Sequence, residues 1–250
     1  KHKIVYNDNA RKFSAVTFPL KKKITPRSFQ TEAAEAWISE KRGVVTLPTG
    51  AGKTILAVML IARIGRPTLI HVPTIDLMGQ WNDVLNEYFD IKIGLLGGGI
   101  NDIQLITVAT YDSALLHVPY RGDQFGLLVF DECHHLPGEQ FKFTALGSIA
   151  PFRLGLTATP ERSDGKEKVL YELCGRLCYE THIDELSGKT LAPYLVKTIE
   201  IEMLPEDREQ YEISRKCYTN FLGKARISFK HPHSWSIFLR RTSESQEGRE

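Results

Sequence analysis

A glycine-rich stretch over residues 49–54 contains the residue types that bind phosphate groups in proteins. Gly50 and Gly52 permit a tight turn that brings backbone N–H groups close to an anion. The apolar run 55–61 predicts a helix directly after the turn, and the first turn of a helix adds unpaired N–H groups and a positive dipole end. We therefore predict a phosphate-binding loop for a nucleotide at this point.

Two side chains at the end of this loop predict specific parts of that chemistry. Lys53 can reach the terminal phosphates of the nucleotide, and the Thr54 hydroxyl can bind Mg²⁺. Leu47 stands where the strict phosphate-loop pattern has its first glycine, so only the second half of the pattern is met. A glycine-rich turn that caps an ordinary core helix is the alternative interpretation.

A second pair of reactive side chains, Asp131 and Glu132, follows the apolar strand predicted at 127–130. Asp131 can hold Mg²⁺, most simply through water, while the metal bridges phosphate oxygens. Glu132 can orient and deprotonate an attacking water molecule. An acidic surface turn is the alternative. Together with the phosphate loop, the two carboxylates predict an enzyme that hydrolyses ATP with Mg²⁺ as cofactor.

These residues need elements that bring them together, and the chain supplies five short apolar strands that alternate with helical segments. Such alternation predicts an α/β fold with a parallel sheet covered by helices on both faces. Each polar motif follows the carboxyl end of a strand, where open α/β sheets bind ligands. The predicted strands cover residues 44–46, 68–72, 104–109, 127–130 and 153–156.

The remaining segments are less regular. Helices are predicted near 28–42, 54–63, 76–88, 166–177 and 206–221, and a loop is predicted at 94–99. Further strands are predicted at 4–6, 14–18 and 196–203, whereas residues 224–250 are expected to be irregular and 242–250 disordered.

Composition excludes few functions. The 250 residues are 42% hydrophobic and 25% charged, and the net charge of +2 indicates no class of partner. Basic residues crowd the arm 1–24, which predicts either a patch that faces nucleic acid or a solvated arm. We find no signal peptide and no membrane-spanning run, so we expect a soluble protein without a membrane partner.

The four cysteines show neither a Cys-x-x-Cys pair nor metal-ligand spacing. They indicate free thiols in a reducing, intracellular setting, so the expected location is the cytoplasm, or the nucleus of a eukaryote. Cys174 and Cys178 are expected to share one face of a helix.

Three motifs together resemble motifs I, II and III of the superfamily-2 helicases, and these are residues 48–54, 131–134 and 157–159. More closely, residues 131–137 and 152–159 resemble the XPB-type DNA repair helicases, especially the archaeal ones. The resemblance covers roughly residues 25–205. It implies a RecA-like domain and an ATP-dependent DNA helicase or translocase.

The resemblance also implies roles for individual residues at the nucleotide site. Arg27 and Gln30 resemble the motif that recognises adenine, and the Gln30 carboxamide can both donate to and accept from that base. The matching phosphate loop comprises Thr49, Gly50, Ala51, Gly52, Lys53 and Thr54, with Thr54 and Asp131 as the Mg²⁺ ligands.

Two further loops resemble motifs Ia and Ib, which in the family touch the backbone of a single nucleic-acid strand. They contain Pro73 with Thr74 and Thr110 with Tyr111. Hydroxyls and backbone N–H groups can make such contacts without reading sequence. Ordinary turn chemistry is the alternative. Trp81, in the helix after Thr74, is expected in the core or on a helix surface rather than at DNA.

A third group, His134, Thr157 and Thr159, is implied to couple the nucleotide site to the nucleic-acid site. In the XPB family an Arg-Glu-Asp element follows motif III. This chain has Arg162-Ser163-Asp164 there, so the middle acid is missing.

The resemblance predicts three parts: a basic arm at 1–24, a RecA-like helicase domain at 25–204, and a helical thumb or linker at 205–250 that is partly disordered. We expect the chain to be the first motor lobe, and a second RecA-like lobe of the full-length protein to supply arginine fingers. The expected partners are DNA, that second lobe and a protein such as a nuclease. The alternatives are a restriction-type or RNA-acting motor of the same superfamily and a non-enzymatic module that holds DNA or a protein.

Overall fold

The computed structural model describes residues 13–159, 165, 167–186, 197–229 and 234–244. The chain divides into two compact units, Lys1–Tyr194 and Leu195–Glu250. The predicted strand at 4–6 and the Arg162-Ser163-Asp164 element lie outside the described residues. The predicted domain boundaries at 24 and 204 stay predictions.

An eight-stranded sheet forms the centre of the first unit. In the order β4-β3-β5-β2-β6-β7-β1-β8, β4 pairs antiparallel with β3 and the other neighbours pair in parallel. The strands are β1 (Arg42–Thr46), β2 (Thr68–Val72), β3 (Ile93–Gly97), β4 (Ile100–Asp102), β5 (Ile106–Thr110), β6 (Leu127–Asp131), β7 (Phe152–Thr157) and β8 (Leu177–Glu180).

Seven α-helices precede, separate or follow these strands in the described part of the first unit. They are α1 (Ser28–Glu40), α2 (Lys53–Ile64), α3 (Ile75–Tyr88), α4 (Tyr111–Arg121), α5 (Lys142–Leu146), α6 (Glu167–Cys174) and α7 (Ile183–Leu186). A short 3₁₀ helix spans Cys133–His135. Among the described residues, no helix is both long and apolar enough to cross a membrane.

The strands carry apolar side chains on both faces, and two hydrophobic clusters result. Val45 faces a cluster that contains side chains of α1, α2 and α3, whereas its neighbour Val44 faces a cluster with side chains of α4, α5 and α6. Successive residues of a strand point to opposite faces, so the continuous apolar runs predicted a sheet that is covered twice. The structure confirms that prediction.

The five predicted strands are present as β1, β2, β5, β6 and β7, but the structure adds three strands at the sheet edges. The loop predicted at 94–99 is wrong because β3 and β4 form a hairpin there. Gly98 and Gly99 have φ values of 58° and 84°, so the glycines that indicated a loop make its tight turn.

The segment 13–27 contradicts the strand predicted at 14–18. It runs along the domain without a strand, held by the bridge between Leu20 and Phe89 and by the Val16 N–H donating to the Gly65 carbonyl. Two of its basic side chains, Lys21 and Lys22, form exposed ion pairs with Asp90 and Glu87. Exposed pairs of this kind contribute little to stability. That the basic residues of the arm face nucleic acid stays a prediction.

Cys174 and Cys178 do not share a helix face. Helix α6 ends at Cys174, and Gly175 follows with φ 106° and its backbone against that of Arg42. Cys178 lies in β8, on the far side of this glycine. The helix predicted over 166–177 was therefore too long. Gly175 ends the helix, but a glycine near a helix end can equally be interpreted as a helix position of low propensity.

The second unit contains two helices, α8 (Pro205–Lys224) and α9 (Ser234–Glu244). Helix α8 agrees with the helix predicted at 206–221. The strand predicted at 196–203 is wrong over 197–203. Helix α9 contradicts the predicted irregular segment over 234–244 and the predicted disorder over 242–244, and residues 245–250 lie outside the described residues. The ring of Phe238 in α9 contacts Tyr218, Phe221, Phe229 and Trp235. The contacts with Tyr218 and Phe221 of α8 stabilise α9, and the polar sequence around α9 gave no sign of them.

Buried His71 in β2 makes the stability of the fold depend on pH. Its Nδ1 lies 3.2 Å from the Val129 carbonyl oxygen, its ring stacks on Phe130, and its Nε2 has no hydrogen-bond partner among the described residues. Burial lowers the pKa of His71 to about 4, since charging the ring would leave a cation in an apolar core.

We expect the fold to lose stability as the pH falls below the pKa of an unfolded histidine, because the unfolded chain then binds a proton that native His71 does not. The loss attributable to His71 is about 2 kcal/mol between pH 7 and pH 5. Urea unfolding at both pH values would measure it. His71→Leu should remove this share of the pH dependence, while His182→Gln, which changes an exposed histidine, should not. Equal pH dependence in wild type and His71→Leu would contradict the assignment.

Candidate nucleotide and nucleic-acid site

The predicted phosphate loop joins β1, the strand next to the edge strand β8, to α2 at the carboxyl ends of the parallel strands. The chain leaves β1 at Thr46, turns through Gly50 and Gly52 with φ values of 79° and 85°, and enters α2 at Lys53. Gly52 is the N-cap of α2, so the unpaired N–H groups of the first helical turn open into this loop. The structure thus gives the strand, loop and helix that the sequence predicted.

The side chain of Gln30 in α1 holds the loop through hydrogen bonds to two of its carbonyl groups. Its side chain is buried, and its Nε2 donates to the carbonyl oxygens of Ala51 and Gly52 at 3.1 and 3.2 Å. Its Oε1 accepts from the Arg27 backbone N–H at 2.9 Å. Gly52 has a φ of 85°, which favours glycine, and a Cβ atom there would lie 2.6 Å from Gln30 Nε2 and displace that amide. Adenine recognition by Arg27 and Gln30 stays a prediction, and the amide already positions the loop.

Lys53 lies between the loop and the carboxylates. Its Nζ is 3.4 Å from the Leu47 carbonyl oxygen and 3.9 Å from Glu132 Oε1, and its side chain is 12% exposed. Leu47 is buried and serves through its backbone, which explains why leucine is accepted where the strict pattern has glycine. The half-buried ammonium group lies where the loop can present it to a phosphate.

Asp131 and Glu132 reach the same edge from β6, which is separated from β1 by β7 alone. Asp131 is 7% exposed; its Oδ2 accepts from Trp81 Nε1 at 2.7 Å and its Oδ1 accepts from the Glu132 backbone N–H at 3.1 Å. Burial raises the pKa of Asp131, and the Trp81 hydrogen bond opposes that rise. Each carboxylate oxygen keeps a further lone pair for a metal ion or its water.

Glu132 has an unusual backbone. Its φ of 46° and ψ of 52° lie in the left-handed region, which a glutamate occupies at a cost of about 1 kcal/mol or more. This turn sends the chain from β6 into the 3₁₀ helix, and it leaves the Glu132 carboxylate partly exposed beside Lys53. The strained residue is thus the one predicted to act as the base.

The three residues predicted to couple the sites form one hydrogen-bonded chain. The Thr157 hydroxyl donates to the Thr159 carbonyl oxygen at 2.9 Å and accepts from the Thr159 N–H. His134 Nδ1 lies 3.2 Å from Thr157 Oγ1 and 3.4 Å from Glu132 Oε2. Because the Thr157 proton is directed to Thr159, the His134 ring nitrogen is the donor toward Thr157. The chain therefore links β7 to the predicted catalytic base.

The residues predicted to touch nucleic acid lie beside this site, after the adjacent strands β2 and β5. Pro73 and Thr74 follow β2, and the exposed Thr74 caps α3 by accepting from the Leu77 N–H at 3.2 Å. Thr110 ends β5 and caps α4 by accepting from the Ser113 N–H at 3.3 Å. Both hydroxyls thus have the turn chemistry that was the alternative. Thr110 is also buried, at 6% exposed, and its hydroxyl donates to Ser113 Oγ at 3.0 Å, so the predicted contact of this side chain with a strand on the surface is wrong. The role of Pro73 and Thr74 at nucleic acid stays a prediction.

Tyr111 requires a correction. Its ring is fully buried, and its hydroxyl donates to the Asp131 carbonyl oxygen at 3.0 Å. The side chain therefore cannot supply a contact to a strand on the surface. Sequence reasoning placed it at the surface because it follows a strand end, whereas its ring occupies the first turn of α4 and points into the core.

The sequence reasoning missed one participant, Trp81. It was expected in the core or on a helix surface, and it is buried, but its indole N–H donates to the Asp131 carboxylate rather than to a backbone group. The N–H of a buried indole needs a hydrogen-bond acceptor, so a core position for Trp81 already implied that some acceptor lies beside it. Only the sheet order shows that α3 packs close enough to β6 for that acceptor to be Asp131.

The residues present fit a magnesium ion that binds with its nucleotide. The described residues contain no group of three or more His, Cys, Asp or Glu side chains that could hold a metal by themselves. Mg²⁺ usually takes one or two protein ligands and fills its other positions with water and phosphate oxygens. The half-buried Thr54 hydroxyl and the Asp131 carboxylate are oxygen donors of this kind.

This sheet, covered by helices on both faces, is a RecA-like domain. Solved structures agree: the UvsW helicase of bacteriophage T4 aligns with a TM-score of 0.57 at 22% identity over 66% of this chain and 64% of that one. The Hef helicase domain of Pyrococcus furiosus aligns with a TM-score of 0.54 at 20% identity over 88% of this chain and 53% of that one. At such identities the likeness shows the fold alone.

The chain belongs to the family of the type III restriction enzyme res subunit, whose model matches residues 23–162. It is also homologous to XPB-type helicases. The DNA 3′-5′ translocase XPB2 of Sulfurisphaera tokodaii is 41% identical over 94% of this chain and 54% of its own length. The DNA 3′-5′ helicase XPB of Mycobacterium tuberculosis is 30% identical over 85% of this chain and 42% of its own length. The chain thus spans about half the length of these curated relatives.

Proposed function

We propose that this chain is the first motor lobe of an XPB-type helicase or translocase, which couples ATP hydrolysis to movement along DNA. The observation that carries the proposal is the 3.9 Å approach of Lys53 Nζ to Glu132 Oε1, because it joins the phosphate loop to the carboxylates across β7. Two motifs about eighty residues apart in sequence therefore serve one bound nucleotide.

Each side chain has a part in hydrolysis. The loop N–H groups and Lys53 would bind the phosphates, and Thr54 and Asp131 would hold Mg²⁺. Bound there, the ion would supply positive charge to offset the charge of the phosphate oxygens. Glu132 orients the attacking water and accepts its proton. His134, which contacts both Glu132 and Thr157, transmits the state of the nucleotide along β7.

DNA is the proposed track. Pro73 and Thr74 follow the end of β2 next to the nucleotide site, where backbone N–H groups and the exposed Thr74 hydroxyl can contact phosphates without reading sequence. At the end of the adjacent β5, the side chain of Thr110 is buried, so this loop would contact phosphates through its backbone. The relatives in Sulfurisphaera and Mycobacterium are named for DNA and for the 3′-5′ direction. We extend both properties to this chain, and they favour DNA over RNA.

Two partners complete the proposal. A second RecA-like lobe supplies the arginine fingers that stabilise charge on the transferred phosphate. A protein such as a nuclease is the other proposed partner, since the matching family is named for a restriction enzyme. The second lobe also closes the other side of the nucleic-acid site.

ATP hydrolysis measured with single-stranded DNA, with RNA and with neither tests this function. We expect this chain alone to hydrolyse ATP slowly, because loss of a transition-state arginine typically costs about 10³–10⁵ in rate. The slow rate should rise with DNA more than with RNA. Stimulation by RNA alone would favour an RNA-acting motor, and Mg·ATP binding without any hydrolysis would favour a binding module. Turnover as fast as that of a two-lobe motor would contradict the need for a second lobe.

A further inference from the structure

Two side chains hold Asp131 from opposite faces of the sheet. Trp81 belongs to the hydrophobic cluster with α1, α2 and α3, and its Nε1 donates to the carboxylate at 2.7 Å. Tyr111 belongs to the cluster with α4, α5 and α6, and its hydroxyl donates to the Asp131 carbonyl oxygen at 3.0 Å. The position of the carboxylate therefore depends on both helix layers.

These two side chains lie on the helices that begin at the two loops proposed to touch nucleic acid. Thr74 is the N-cap of α3, and Trp81 lies two turns further on, about 10 Å along the axis. Thr110 is the N-cap of α4, and Tyr111 is its first residue. Each loop thus caps a helix whose buried side chain is hydrogen-bonded to Asp131.

The indole N–H could have been satisfied without the carboxylate, as another tryptophan in the same core shows. Trp37 is as fully buried as Trp81, and its Nε1 donates to the backbone carbonyl of Arg153 at 3.0 Å. The bond from Trp81 is shorter and goes to a group that carries charge, so it is the stronger of the two. Trp37 thus supplies a matched control for the loss of a buried indole bond.

We propose that Trp81 and Tyr111 are positioning residues through which the loops at Thr74 and Thr110 set the place of the Asp131 carboxylate. Nucleic acid on those loops then changes the affinity of the nucleotide site for its divalent cation. This inference rests on the proposed function, since it needs both a nucleotide and a strand to bind. This connection is separate from the one through His134 and Thr157. It leads to Asp131, the proposed metal ligand, whereas the other leads to Glu132, the proposed base.

The test uses Mn²⁺ as the metal probe, with free Mn²⁺ followed by electron paramagnetic resonance in the presence of a non-hydrolysable ATP analogue. In the wild type we expect single-stranded DNA to change the Mn²⁺ dissociation constant by about fivefold or more, the usual lower range for coupled sites. Tyr111→Phe removes only the hydroxyl, and Trp81→Phe removes the N–H together with part of the buried ring; each should bring this ratio toward one. Trp37→Phe should leave it unchanged.

A spectroscopic measurement avoids any dependence on the two site variants. The chain has three tryptophans, so a protein with Trp37→Phe and Trp235→Phe emits from Trp81 alone. Trp81 is 2% exposed and cannot touch DNA, so a change of its emission on DNA binding reports movement that reaches it from the loops. Unchanged emission at saturating DNA would overturn the inference.

Three results of the Mn²⁺ titration would contradict the inference. A wild-type ratio of one, a wild-type ratio in both Trp81→Phe and Tyr111→Phe, or an equal loss in Trp37→Phe would each overturn the inference. Lys53→Ala separates these outcomes from a failure of the proposed function. If Lys53→Ala weakens nucleotide binding while the coupling ratio fails, the nucleotide site stands and the positioning role falls.

Discussion

Replacing Lys53 by alanine should weaken ATP binding by about 10- to 100-fold, since a hydrogen bond to a charged group is worth about 1.5–3 kcal/mol. The ammonium group lies between the Leu47 carbonyl and Glu132 and is largely shielded from water. In the proposed site, its loss removes the charge that would face a terminal phosphate, and it also removes the ammonium group beside Glu132. Calorimetric titration with a non-hydrolysable ATP analogue would measure the change.

Lys92→Ala is the matched control for this substitution. Lys92 is exposed, pairs with Asp102 near the opposite edge strand, and has no place at the nucleotide site. The control should bind ATP as the wild type does, and far-ultraviolet circular dichroism should show that both variants fold. An ATP affinity that Lys53→Ala leaves intact would refute the phosphate-loop assignment and the proposed function with it.

Replacing Glu132 by glutamine should separate binding from chemistry. The amide keeps the size of the side chain but cannot accept a proton, and removal of a general base typically lowers the rate by about 10²–10⁴. ATP affinity should be retained, because Lys53 loses a competing carboxylate partner. Single-turnover release of labelled phosphate, with protein in excess over ATP, would measure even the slow rate expected of one lobe.

Glu139→Gln tests whether any change of charge in this region has the same effect. Glu139 follows the same strand but is exposed and away from Lys53 among the described contacts. It should hydrolyse ATP at the wild-type rate. Equal hydrolysis by Glu132→Gln and the wild type would remove Glu132 from its role as the base, and the adjacent Asp131 would then need testing.

The motifs that the sequence predicted best are those in which local chemistry and local structure agree. Gly50 and Gly52 turn the chain where a helix must begin, and an apolar strand ends where Asp131 and Glu132 start. Short-range rules govern both features, because backbone freedom and the burial of apolar runs depend on neighbours in sequence. The same rules failed at 94–99, where a tight hairpin has the composition of a loop.

Contacts between segments that are distant in the sequence could not be predicted from the sequence. Gln30 reaches across 21 residues to the loop carbonyl of Ala51, and Trp81 reaches across 50 residues to Asp131. Each bond exists because the sheet order puts particular helices beside particular strands. The same order sends the Tyr111 ring inward, although its place after a strand predicted a surface role.

The sequence by itself determined which groups this protein has for chemistry: a lysine and a threonine after a glycine turn, and two carboxylates after an apolar strand. The tertiary structure alone decided which of them meet and what holds them. It placed β7 between the two motif-bearing strands, gave the Asp131 carboxylate an indole donor and turned Glu132 into a strained conformation beside Lys53. The physical reason is that residue type fixes what a side chain can donate or accept, whereas parallel strand order fixes which side chains come within reach of one another.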